Sequence, residues 1–284
     1  MPVIYQPSGK AREYSPLACN LYLSCTHKCR YCYAPHVLQR NRDTYFCKPY
    51  PRKDILKSIE SELKENVPDK QIMLSFIGDV YCETYDNNDT TRGALEIFLK
   101  YGAPVAILTK GGKRCLKGLD LFKKFGDRIW VGATLTFMDD EKSHYHESGA
   151  ALPQERLEVL AELKRNGITT FASFEPMIET KESLAALTKT LEMNCVDSYK
   201  IGKTDNSHWL TEPVDWDAYL RECLSLIRPA GKGLYIKQSA YSSPEYRSLP
   251  GGDGRRFTWC EIIMRYAACF MISSLALLYI SSVM

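Results

Sequence analysis

The chain has 284 residues, enough to bury a large core in one barrel or two modest domains. Hydrophobic residues at 45% and charged residues at 25% are ordinary globular values and exclude a disordered chain, while a net charge of +3 is too small to establish a nucleic-acid partner. The eleven cysteines are an odd number and residues 1–14 are mostly polar with no leader pattern, so a reducing, cytoplasmic setting is expected over a disulfide framework.

In chain order, short β-branched and apolar runs alternate with segments of helical period. Residues 18–24 read as a first strand, which leads directly into CTHKCRYC, where Cys25, Cys29 and Cys32 stand at CxxxCxxC spacing. Residues 53–66 carry Ile55, Leu56, Ile59 and Leu63 at helical spacing. Further strands are expected at 72–76, 105–110, 129–135, 169–174, 198–202 and 234–237, and further helices at 91–101, 116–125, 153–166, 181–193 and 216–227. Pro153 opens its helix, as a proline at the first helical position does. The alternation predicts an α/β fold with a parallel sheet and right-handed crossovers, closed into an incomplete barrel. The expected domains are an N-terminal extension over 1–17, a barrel over 18–245 and a C-terminal tail over 246–284.

Three thiolates within eight residues can grip one metal centre. A [4Fe-4S] cubane has four irons, so three cysteines leave one iron open to a ligand or to chemistry. The alternative is a closed structural zinc site completed by Cys19 or Cys47, although such sites usually show a second CxxC knuckle, which this chain lacks. Cys82, Cys115, Cys195, Cys223, Cys260 and Cys269 are scattered, as buried free thiols are.

The CxxxCx-aromatic-C pattern, with Tyr31 as the aromatic, resembles the signature of the radical S-adenosylmethionine (SAM) family. The resemblance implies a partial (β/α)6 barrel of TIM type with a [4Fe-4S] cluster at its mouth. It also implies SAM chelating the open iron, and an electron from the cluster cleaving SAM to a 5′-deoxyadenosyl radical that abstracts hydrogen. YCYAP after the cysteines, the S-x-x-x-D-x-Y run ending the second strand, Arg92, and ILTK closing the third are together similar to the spore photoproduct lyase-like branch, over residues 15–240. That branch implies a DNA repair lyase, with a reductant such as flavodoxin or ferredoxin as partner. The other reading is an iron-sulfur module that binds nucleic acid or senses redox state without turning over SAM.

By the same resemblance, Gly78 and Asp79 approach the SAM amino group, Lys110 pairs with its carboxylate, Thr134 adds a hydroxyl there, and Tyr31 contacts adenine. Tyr33 is the expected hydrogen-atom or electron relay. The lyase donates hydrogen from a cysteine near the end of the second strand, where this chain has Phe76; Cys82, six residues on, is the candidate substitute. Glu175, Lys200 and Lys237 are expected to face the barrel interior. Lys48, Arg52 and Lys53, with Lys110, Lys113, Arg114 and Lys117, are basic groups suited to steering phosphates, and His144 and His146 are expected on a surface loop. Residues 266–284 carry no charge over a length that crosses a bilayer, so the alternative to a free cytoplasmic chain is a C-terminal membrane anchor.

Overall fold

The computed structural model describes residues 2–204 and 207–240. Eight strands form one sheet in chain order: β1 Ile4–Tyr5, β2 Leu17–Cys19, β3 Ile72–Leu74, β4 Val105–Thr109, β5 Ile129–Thr134, β6 Thr169–Met177, β7 Ser198–Lys203 and β8 Gly233–Ile236. β1 pairs antiparallel with β2, and every later neighbour is parallel. Among the described residues nine α-helices accompany the strands: α1 Ala34–Val37, α2 Arg42–Tyr45, α3 Ile55–Glu65, α4 Asp89–Tyr101, α5 Leu119–Phe125, α6 Asp140–His146, α7 Pro153–Arg165, α8 Thr180–Glu192 and α9 Trp216–Ile227. The seven parallel strands are the seven that the hydrophobic runs predict. The first is shorter than expected, ending at Cys19, and the two-residue β1 is too short to leave a pattern.

Alternation along the strands separates an inside from an outside. Ala18, Met73, Ala106 and Trp130 are successive register partners across β2 to β5, and they form the barrel interior with Phe171 and Tyr14. The opposite faces pack on the helices. Ile55, Ile59 and Leu63 form the buried stripe of α3 and join Ile72, Val105, Ile107 and Phe98 in the larger outer core.

Among the described residues β1 and β8 do not pair, so the barrel is open. A short 3-10 turn, Gly9–Glu13, and Tyr14 bridge that side. The Tyr14 hydroxyl lies 2.7 Å from Ser173 Oγ and donates to Glu175 at 2.6 Å, and its carbonyl accepts from Lys200 Nζ at 2.7 Å. Glu13 accepts from the Tyr235 hydroxyl and the Gln238 amide, both at 3.0 Å. Glu175 pairs with Lys237 at 2.7 Å, so the interior charges expected on the last three strands do face inward and are held by the N-terminal segment. Burial pushes the Lys200 ammonium well below its ordinary value.

His144 and His146 belong to α6 instead of a loop. Asp139 caps that helix by accepting from the Lys142 amide; His146 stacks on Phe137 at 4.8 Å and is buried, while His144 is exposed. No helix among the described residues is long and apolar enough to cross a membrane. The tail, with Cys260, Cys269 and the uncharged run 266–284, lies outside the described residues.

Tyr14→Phe keeps the ring and removes only the hydroxyl that ties the N-terminal segment to β6. It is expected to lower unfolding stability in urea by about 1–3 kcal/mol, and an unchanged midpoint would contradict this account of how the open side is held.

Candidate functional site

The cysteine loop lies beyond the carboxyl end of β2, where parallel α/β folds gather their chemistry. Cys25 and Cys29 are buried and Cys32 is half-buried. Several partners fix the loop's path. Arg42 Nη1 and Nη2 donate to the carbonyls of Cys32 and Cys29 at 3.1 and 2.9 Å, and its guanidinium lies 4.9 Å from the Phe46 ring centre. The segment after α6 clamps the other side, with Arg30 N donating to His146 O at 2.8 Å and Gly149 N to His27 O at 2.9 Å.

His27 sits between the first two cysteines and is almost fully buried. Its Nδ1 lies 3.1 Å from the Gly149 carbonyl and its Nε2 lies 2.9 Å from Asp79 Oδ2. Both partners only accept, so both nitrogens must donate and the ring is an imidazolium. Burial works against that charge, but Cys25 and Asp79 outweigh it and raise the imidazole above its ordinary value.

Asp79 also accepts from the amides of Tyr81 and Lys110, at 2.8 and 2.7 Å, and from the Thr109 hydroxyl at 2.8 Å. Burial alone would raise this carboxyl; His27, followed by the backbone donors, instead holds it well below the usual carboxylate range. Gly78 precedes it at φ 79°, and a β-carbon there would run into the Ser24 carbonyl. Gly78 and Asp79 thus brace the cysteine loop against the ends of β3 and β4. The contacts of Asp79 are with His27, Thr109 and the amides of Tyr81 and Lys110.

Lys110 follows β4, with Nζ 3.9 Å from Glu147 Oε1 and 5.6 Å from the Tyr31 ring centre. Glu147 is wholly buried, pairs with Arg156 Nη2 at 2.5 Å and accepts the Tyr31 hydroxyl. Arg156 also donates to the carbonyls of Thr134 and Ala151, at 2.9 and 2.8 Å. Thr134 is buried at the end of β5, where its carbonyl meets the Arg156 that pairs with Glu147. Two cations against one carboxylate leave a positive charge beside Cys29.

Each cysteine has a cation nearby. Burial pushes the Cys29 and Cys32 thiols up, while Lys110 opposes the rise at both and Arg42 does so at Cys32. At Cys25, a contact with Cys82 and then burial raise the thiol, and His27 opposes them. Buried thiolates need such neighbours, so the donor set suits an anionic iron-sulfur centre. No three of His, Cys, Asp and Glu among the described residues converge tightly enough for a single ion. Neither proposed fourth zinc ligand joins the loop. Cys19 packs in the outer core, and Cys47 is exposed, with its thiol 3.7 Å from the Asp43 carbonyl.

The remaining candidates separate. Tyr33 is half exposed and donates to the Phe76 carbonyl at 2.8 Å. Cys82 is fully buried and packs with Cys25 and Tyr45, beside Thr26. The basic residues also scatter. Lys110 turns inward, Arg114 Nε is bound by the Tyr81 carbonyl at 2.8 Å, and Lys48 pairs with Glu83 at 2.8 Å. Sequence reasoning missed His27, Arg42, Glu147 and Arg156. Only Arg156 left a signal, as an arginine on the buried face of α7 with Leu160 and Leu163.

Comparison with known proteins agrees with this geometry. Residues 19–193 match the family model of the Radical SAM superfamily. An uncharacterised protein of Methanocaldococcus jannaschii is 30% identical over 167 residues, a match spanning 56% of this chain and 59% of that relative. A spore photoproduct lyase variant with bound SAM and dinucleoside spore photoproduct superposes with a TM-score of 0.61 at 12% identity, over 84% of this chain and 80% of the lyase. SuiB of Streptococcus suis bound to SAM gives 0.58 at 11% identity, over 82% of this chain and about half, 52%, of SuiB. A radical SAM methyltransferase from Sphaerobacter thermophilus gives 0.51 at 8% identity, over 85% and 70% of the two chains. At these identities the structural likeness shows the fold.

Glu147→Gln removes the only carboxylate between Lys110 and Arg156 and is expected to cost about 3–5 kcal/mol in the metal-free chain, measured by urea unfolding. Because Glu147 and Asp79 are both held below their ordinary values when folded, their stabilisation is present above the usual carboxylate range and is lost as pH falls through the depressed folded values. Wild-type stability should therefore decline as pH drops below about 4, and more steeply than that of Glu147→Gln.

Proposed function

The chain belongs to the radical SAM superfamily, whose cofactors are a [4Fe-4S] cluster and SAM, and within it we propose an enzyme that cleaves SAM reductively to abstract hydrogen from its substrate. When bound, the reduced cluster supplies the electron that breaks the SAM sulfonium bond and releases a 5′-deoxyadenosyl radical. The protein's part is to hold and orient. Cys25, Cys29 and Cys32 are the cluster ligands, and Lys110, its charge only partly met by Glu147, takes the SAM carboxylate with Thr134 beside it. Tyr31, its hydroxyl fixed by Glu147, offers its ring to adenine, and Gly78 with Asp79 keeps the cysteine loop in place. The observation that carries this reading is the CxxxCxxC loop beyond the carboxyl end of β2, with His27, Lys110 and Arg42 close to its cysteines.

A lesion in DNA is the leading substrate class, supported by the lyase-like motifs and by the superposition on spore photoproduct lyase. Phe76 occupies the place of the lyase's hydrogen-donating cysteine, so hydrogen return needs another residue. Tyr33, half exposed at the loop, has the access this needs, whereas Cys82 has no exposed surface in this conformation. The electron donor is a small carrier of the flavodoxin or ferredoxin kind.

Anaerobic reconstitution followed by SAM and dithionite tests the proposal. Formation of 5′-deoxyadenosine and methionine is expected in wild type, and Cys29→Ala should fall to background. A loaded cluster with no cleavage above that control would leave an iron-sulfur module without SAM turnover. With cleavage established, ultraviolet-irradiated spore-type DNA tests the substrate, and unchanged photoproduct would remove the DNA assignment.

A further inference from the structure

Tyr45 closes α2, and its side chain is fully buried. Its hydroxyl is one of three buried side-chain polar atoms with no partner among the described residues. Of the other two, the Tyr81 hydroxyl faces Gly118 and Phe122 in the outer core, and His146 Nδ1 belongs to the ring stacked on Phe137. Tyr45 instead shares its pocket with Cys25, Cys82 and Cys32, and Phe46 packs edge-on at 5.1 Å to complete the apolar wall. A buried phenol normally finds a partner, because an unmet donor forfeits its hydration without return. A phenol keeps its proton at neutral pH, so this hydroxyl has a donor to offer.

A neutral thiol is a poor acceptor, but a thiolate is a good one. Ligation to iron deprotonates the cysteines and so creates an acceptor beside the waiting donor. We propose that the Tyr45 hydroxyl is the hydrogen-bond donor to a sulfur of the iron-sulfur site, the thiolate of Cys32 or Cys25, and raises the reduction potential of the cluster. This rests on the radical SAM reading. Hydrogen bonds to cluster sulfurs stabilise the more negative, reduced form. Arg42, at the start of the same short helix, donates to the Cys29 and Cys32 carbonyls and fixes the loop backbone, while Tyr45 acts on the sulfur.

The test is Tyr45→Phe, which keeps the ring and removes only the donor. In the reconstituted full chain, with iron and sulfide matched to wild type, potentiometric titration followed by electron paramagnetic resonance should show the variant's midpoint shifted to a more negative potential. In the metal-free chain the same substitution should leave stability unchanged or improved, because there the hydroxyl has no partner to lose. A second measurement reads the bond itself. Electron-nuclear double resonance of the reduced cluster should detect in wild type a solvent-exchangeable, cluster-coupled proton that is missing from Tyr45→Phe. Full loading with an unchanged midpoint, or no such proton in wild type, overturns the inference alone. A wild-type chain that assembles no cluster overturns the family-level reading and this inference with it.

Discussion

The hydrogen-bonded ion pair between the His27 imidazolium and the Asp79 carboxylate is the constraint on which the site depends. One member lies inside the cysteine loop and the other just beyond β3, where it also holds the amide of Lys110 at the end of β4. The pair ties the loop to the ends of β3 and β4, as Arg42 and the end of α6 tie its other side. With it, three chain segments that are distant in sequence share one buried carboxylate. Gly149 completes the arrangement by offering its carbonyl to the other imidazole nitrogen, so each ring nitrogen faces an acceptor.

Charge then explains the rest of the mouth. Burying thiolates is costly unless positive groups are close, and His27, Lys110 and Arg42 answer that need at the three cysteines. Lys110 and Arg156 would repel one another without Glu147, which lies between them with no exposed side-chain surface. Tyr31 is drawn into the same network, so the aromatic of the signature is oriented by the groups that balance the charge. The opposite, open side of the barrel is closed by different means: Tyr14 spans to β6 and β7, and the Glu175 and Lys237 charges meet inside.

Much of this was legible in the sequence where the signal is periodic or local. Seven parallel strands and the main helices follow from alternating runs, and the three cysteines declare themselves by spacing. The short α1 and α2 were not legible, because four residues carry no period, yet they supply Arg42 and Tyr45. The roles of Glu147 and His27 were hidden for a different reason. A buried ion network depends on which loops tertiary packing brings together, and Glu147 meets Lys110 across 37 positions with nothing local to mark either partner. Asp79 stands out in the sequence as a carboxylate near the end of a strand, but its donors come largely from the cysteine loop and β4, which only the folded chain brings to it.

The central claim is that three cysteines hold a cluster with one iron left for SAM. The most direct measurement is the electron paramagnetic resonance spectrum of the dithionite-reduced, fully loaded protein with and without SAM. Ligation of the open iron predicts a changed spectrum on adding SAM, with the change weakened in Lys110→Ala. Identical spectra at saturating SAM, from a cluster shown by iron and sulfide content to be complete, would contradict the account.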